Sequence, residues 1–188
     1  MQDTKNTILL TSDDIAKEIK LGFEWFRKER KTGGMVHNID LWAIVVNRNG
    51  KITRDEDIVF YNNCSDPAHI AYFSDDYDDW CEDEDDSIYI NLTNATNETA
   101  KIVIFADMYE AANRRQNFSQ LTSFYMHTPF GTGVNDPIIF SELPPTTVMM
   151  LCEIKRTGNG WMLAVTGNGY SSDIISFLKE YGCSFVDS

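Results

Sequence analysis

The sequence has few basic residues and no long apolar run, and each shortage excludes a class of protein. Lysine and arginine number 16 against 29 acidic residues among 188, which gives a net charge of −13. Because binding to phosphate backbones needs a basic surface, we expect no nucleic-acid partner. No stretch approaches the roughly 20 apolar residues that cross a bilayer. Residues 1–20 also lack the charged start and apolar core of a secretion signal, so we predict a cytoplasmic protein.

Cysteine and histidine are also scarce. The four cysteines are widely spaced and form no Cys-x-x-Cys pair, which favours reduced thiols over a disulfide framework or a zinc site. The three histidines, His37, His69 and His127, have no cysteine or carboxylate partner at ligand spacing. The sequence therefore argues against zinc chemistry and against a Cys/His nucleophile.

Carboxylates, in contrast, are concentrated in one segment. Nine of the twelve residues from Asp75 to Asp86 are acidic, and they carry most of the net charge. Their mutual repulsion is relieved either by a bound hard cation or by exposure to solvent as an acidic loop. The segment alone leaves both interpretations open. The nine residues are Asp75, Asp76, Asp78, Asp79, Glu82, Asp83, Glu84, Asp85 and Asp86.

The rest of the chain follows a period of two. Ile19, Leu21, Phe23 and Trp25 alternate with polar residues, as a half-buried strand requires. The nearly continuous apolar run from Ile39 to Val46 is typical of a central strand. Further strands are predicted at Asp57–Asn62, Ala68–Phe73, Ile88–Leu92, Lys101–Met108, Leu121–His127, Pro137–Phe140, Val148–Lys155 and Gly160–Thr166.

Helix is predicted mainly near the end of the chain. From Ser171 to Tyr181 the apolar residues fall on one face, with Ser171 or Ser172 as the cap and Gly182 as the stop. A short helical turn is also predicted within Tyr109–Gln116. Many short strands and one terminal helix indicate a mainly β fold. We predict one domain over residues 1–188, a two-sheet antiparallel β-sandwich with a C-terminal helix.

Turn signals separate several of these strands. Asn49-Gly50 and Asn159-Gly160 stand between apolar runs, where both residues can take positive φ in a type I′ hairpin turn. The acidic segment follows the strand ending at Phe73 and precedes the one beginning at Ile88, so it is predicted to be a loop at one end of the sandwich.

Calcium binds six to eight oxygens, and loops at the rim of a sandwich can converge to supply them. Asp40, Asn62 and Asn63 lie at predicted strand ends and are the natural additions to the acidic loop. The spacing is not that of an EF-hand, because Trp80 and Cys81 stand where an oxygen ligand and a glycine are needed.

Five separated blocks together resemble the TerD family of tellurium-resistance and stress-response proteins. The similarity extends from about Leu21 to Gly182. The blocks are Asn38-Ile39-Asp40-Leu41, residues 54–63 with Phe60-Tyr61-Asn62, Glu84-Asp85-Asp86-Ser87-Ile88, Arg115-Gln116-Asn117-Phe118, and Gly167-Asn168-Gly169-Tyr170.

This resemblance implies a calcium-binding β-sandwich of the bacterial cytoplasm with no established enzymatic activity. It also implies ligands from the acidic loop and from the strand that begins with Asp40. Several loop glycines of the family are replaced here, and Asn38 stands in place of a first Asp, so the number of retained sites stays open. The candidate ligands are Asp40, Asn62, Asp75, Asp76, Glu84, Asp85 and Asp86.

The resulting hypothesis is a calcium-binding stress-response protein whose acidic loop orders around Ca²⁺ and presents a surface to other stress-response proteins. Two alternatives remain. One is a calcium-dependent module that binds a membrane surface, with Trp80 inserting. The other is a metal-dependent hydrolase that holds magnesium through the carboxylates. The oligomeric state cannot be read from the sequence.

Overall fold

The computed structural model describes residues 7–27, 37–73, 86–130, 137–158 and 160–184. Two antiparallel sheets contain the strands, which confirms the predicted mainly β class. The strands are β1 (Thr7–Leu9), β2 (Ile19–Arg27), β3 (Ile39–Asn47), β4 (Ile58–Val59), β5 (Ala71–Phe73), β6 (Asp86–Ile90), β7 (Thr99–Met108), β8 (Leu121–His127), β9 (Ile138–Phe140), β10 (Val148–Arg156) and β11 (Trp161–Tyr170). The α-helices are α1 (Ser12–Ile15), α2 (Ala111–Arg114) and α3 (Ile174–Glu180).

The six-stranded sheet has the order β1-β11-β10-β7-β3-β4. Its central strands β3, β7 and β10 are buried along most of their length, because both faces of this sheet are covered. This explains why their sequences are nearly continuous apolar runs rather than alternating ones. A β-bulge between Met150 and Cys152 shifts the register of β10 against both neighbours.

The five-stranded sheet has the order β5-β6-β2-β8-β9. Ile19, Leu21 and Phe23 of β2 are buried and point toward the other sheet, as the period of two predicts. Their side chains join those of the six-stranded sheet in the main core. Among the described residues, no helix is long and apolar enough to cross a membrane.

A second apolar cluster lies on the other face of the six-stranded sheet, under α3. Phe105 of β7 packs against Phe177 of α3 with ring centroids 4.7 Å apart, and Trp42 of β3 stacks beside Phe105 at 6.0 Å. The face under α3 is therefore a packed apolar layer. After α3, Ser184 donates hydrogen bonds from its backbone N–H and its hydroxyl to the carboxylate of Asp55.

The N-cap of the C-terminal helix lies one or two residues later than predicted. This N-cap is Asp173, whose carboxylate accepts the backbone N–H of Ser176 at 2.7 Å, and not Ser171 or Ser172. Gly182 has φ +89° and follows the helix, as predicted. An Asp directly before the first apolar residue caps a helix as well as Ser does, so Ser171, Ser172 and Asp173 are equivalent candidates in the sequence.

Two other local predictions were wrong, one for the start of a strand and one for the type of a turn. The strand predicted at Ala68–Phe73 starts only at Ala71, because the buried carboxylate of Asp66 accepts the backbone N–H groups of Ala68, Ile70 and Ala71 and holds a turn there. The turn at Asn49-Gly50 is not type I′, since only Gly50 has positive φ.

Strand β4 spans only Ile58–Val59 of the predicted Asp57–Asn62. The predicted helical turn within Tyr109–Gln116 narrows to α2. Strand β1 and helix α1 were not predicted, because three strand residues and four helical ones are too short for periodicity to register.

Candidate metal centre

The candidate ligands belong to one end of the sandwich. At this end, called the Asp40 end, β3 begins, β7 ends and β10 begins, with Ile39 opposite Met108 and Asp107 opposite Val148. The backbone N–H of Phe118, just before β8, donates to the carbonyl of Thr146, just before β10, so the five-stranded sheet has the start of β8 at the same end.

Strand β6, which the acidic segment precedes in sequence, begins on the side of the Asp40 end. Strand β2 runs toward that end, because its last residue, Arg27, pairs with Leu121 at the start of β8. Strand β6 is antiparallel to β2 and begins with Asp86 opposite Phe23. Asp86 therefore belongs to a strand, and not to the loop as predicted. Asp75, Asp76, Glu84 and Asp85 lie outside the described residues.

Asp40 faces a second carboxylate across the sheet. It pairs with Asp107 of β7 in the antiparallel register. Trp42 and Phe105, two positions along each strand, lie on the face covered by α3. Because side chains two apart share a face, Asp40 and Asp107 stand together at the edge of that apolar layer. Directly opposite side chains of like charge destabilise a sheet.

The electrostatics of this pair differ from those of exposed acids. Burial raises the pKa of Asp40 above its usual range. The pKa of Asp107 rises to about 7, first because the carboxyl is buried and second because Asp40 is close, while a hydrogen bond from the Met108 backbone lowers it. Asp173, the N-cap of α3, adds a further raising effect on Asp107. Burial thus raises both pKa values, and for Asp107 the neighbouring carboxylates raise the pKa further.

Asn62 and Asn63 lie in the tight turn after β4, where Phe60 and Asn63 exchange backbone hydrogen bonds. Strand β4 is the neighbour of β3, so this turn borders the strand that carries Asp40. Asn62 is exposed. Asn63 has a structural role instead, because its amide donates to the carbonyls of Glu56 and Ile58.

Two carboxylates of the residue 54–63 block also hold the backbone. Asp57 accepts the backbone N–H groups of Thr53 and Arg54, and Asp55 fixes Ser184. Of Asn62 and Asn63, the exposed Asn62 remains the candidate ligand in this block.

The sequence prediction missed Asp107 and Asp173. Asp107 lies in a strand that was predicted, Lys101–Met108, and follows Val103 and Phe105 on the face under α3. An acid after two apolar residues of one face was a usable signal, but pairing Asp107 with Asp40 requires the strand register. In the described residues, no three carboxylates, histidines or cysteines are grouped closely enough to hold a metal ion.

Comparison with known proteins gives a consistent result. A family model described as "TerD domain" matches residues 1–181. The chain is 26% identical over 170 residues to "Tellurium resistance protein TerD" of Serratia marcescens, covering 88% of each protein. It is 21% identical to "General stress protein 16U" of Bacillus subtilis, covering 88% of this chain and 87% of that one.

Two solved structures share the fold. One, from Streptomyces coelicolor A3(2), is described as a homologue of telluride resistance protein (TerD). It superposes with a TM-score of 0.63 at 14% identity and covers 87% of this chain and 95% of its own. A second, described as a protein of unknown function, has a TM-score of 0.66 at 18% identity with the same coverage.

Proposed function

The chain belongs to the TerD family of tellurium-resistance and stress-response proteins, and from that premise we propose that it is a calcium-binding stress-response protein. The observation that supports calcium binding is the pair of carboxylates, Asp40 and Asp107, which face each other at the end of the sandwich on whose side β6 begins with Asp86. The proposal places the protein in the cytoplasm, as the family resemblance implies.

The chemistry of these donors fits calcium. Carboxylate oxygens are the ligands that this hard cation prefers, and amide oxygens such as that of Asn62 are suitable additions. The described pair supplies too few ligands on its own. In this proposal the others come from Asp75, Asp76, Glu84, Asp85 and Asp86. A bound calcium ion would supply positive charge beside Asp40 and Asp107.

Asp40 and Asp107 would have a defined part in such a site. Both belong to central strands of the six-stranded sheet, so their backbones are fixed before any ion arrives. The acidic segment, in contrast, would close over the ion by its own carboxylates. Ordering of that segment would give partner proteins a surface that exists only with calcium. The partners proposed are other stress-response proteins.

Calcium binding can be tested on chelator-treated protein. We expect titration calorimetry to register binding, and calcium chloride to raise the melting temperature. Asp85→Ala combined with Asp75→Ala should abolish the rise, and Asp40→Asn should reduce it. Asp13→Asn is the matched control, because Asp13 is an exposed acid in α1, which follows β1 at the opposite end of the sandwich.

Absence of calorimetric binding at millimolar calcium would refute the calcium proposal. An equal loss of response in Asp13→Asn would show that general charge, and not a site, is responsible. Magnesium chloride at the same concentration separates the two ions, since magnesium demands stricter octahedral geometry.

The stress-response role needs a test in cells. Expression of this chain in a tellurite-sensitive bacterium should increase survival on tellurite, and the Asp75→Ala, Asp85→Ala variant should lose that increase. The variant's soluble level must match that of the unsubstituted chain. Unchanged survival with the unsubstituted chain would refute a role against tellurite and leave the calcium measurement as an independent result.

A further inference from the structure

We draw no further inference here: the strongest candidate, the partly exposed apolar patch of Phe26, Tyr125 and Ile139 on the outer face of the five-stranded sheet, carries no proposal because nothing in the described part of the chain shows what covers it.

Discussion

The face of the six-stranded sheet under α3 has acidic side chains near both of its ends, and their neighbours differ. At the Asp40 end, Asp107 faces another carboxylate. At the opposite end, called here the Glu153 end, Glu153 of β10 lies between two ammonium groups. The Lys101 Nζ is 2.8 Å from one of its carboxylate oxygens, and Lys155 pairs with the other. Both ends border the same apolar layer under α3, so they allow a direct comparison of a carboxylate beside another carboxylate with a carboxylate beside two ammonium groups.

The pKa values of the two acids move in opposite directions. Burial raises the pKa at both ends. At Glu153, the hydrogen bonds and charges of Lys101 and Lys155 outweigh that effect and lower the pKa. At Asp107, the neighbouring Asp40 raises the pKa further. Burial alone therefore does not decide whether such an acid is ionised at neutral pH. The charge of the neighbouring groups decides whether the acid is ionised. In the proposed function, a calcium ion is the positive neighbour at the Asp40 end.

The largest expected effect is a pH dependence that comes from the Asp40 end. Asp107 takes up a proton near pH 7 in the folded protein and near pH 3.8 in the unfolded chain. Between these values the folded state holds more protons, so the free energy of unfolding should fall as the pH rises from about 4 to about 7. At 1.4 kcal/mol per pKa unit the fall is roughly 4 kcal/mol.

Urea denaturation in calcium-free buffer across this pH range measures the effect. Asp107→Asn removes the titrating group, so most of the slope should disappear and the variant should be the more stable protein at pH 8. A smaller slope should remain from Asp40, whose pKa is also raised. If Asp107→Asn has the same slope as the unsubstituted chain, Asp107 is not the source of the pH dependence.

The second expected effect comes from the Glu153 end. Glu153→Gln leaves Lys101 and Lys155 side by side without their carboxylate, at a position where the Glu153 side chain is only 9% exposed. Breaking such a pair from one side typically costs several kcal/mol when buried. Because both lysines are partly exposed, we expect a loss of about 2 kcal/mol.

The loss should appear in urea denaturation at pH 7 and should not change when calcium is added. A double variant, Glu153→Gln with Lys155→Gln, should recover part of it, since one uncompensated charge is removed. Because the pKa of Glu153 is lowered on folding, the stability that it contributes is present above its ordinary pKa of 4.5 and is lost on acidification. A loss that changes in size when calcium is added would mean that the two ends are not independent.

The comparison also separates what the sequence could predict from what it could not. The strands β3, β7 and β10 were predicted from apolar content, because each is long and covered on both faces. Asp40 was found from its place at the start of β3. Asp107 lies in a predicted strand, yet its pairing with Asp40 depends on the register between two strands, and the two residues are 67 positions apart in sequence. Register over such distances leaves no local pattern.

The acidic carboxylates illustrate a second limit. Asp57, Asp66 and Asp173 all accept backbone N–H groups, so their roles are structural. Composition does not distinguish them from Asp40 and Asp107, since all five are aspartates near strand or helix ends. The distinction comes from where the nearest backbone donors point, which only the folded chain determines. The prediction that Asp75, Asp76, Glu84, Asp85 and Asp86 bind calcium remains a prediction.

The smallest expected effect concerns Asp173, which links the Asp40 end to α3. Its carboxylate caps the helix and also raises the pKa of Asp107. Asp173→Asn keeps a side-chain oxygen for the Ser176 N–H, so stability at pH 8 should change by less than about 0.5 kcal/mol. Removal of the negative charge should nevertheless move the pH dependence of unfolding to lower pH.

Asp173→Ala provides the contrast, because it removes the cap and the charge together. Loss of the cap should cost about 1 kcal/mol at any pH, while the shift toward lower pH should equal that of Asp173→Asn. Urea denaturation of both variants across pH 4–8 separates the two contributions. If Asp173→Asn leaves the pH dependence in place, the charge of Asp173 does not reach Asp107, and Asp40 is the neighbour that matters. That outcome would mean that the charge repulsion on Asp107 comes from Asp40 on the neighbouring strand. Helix α3 would then cover the pair without an electrostatic effect on it.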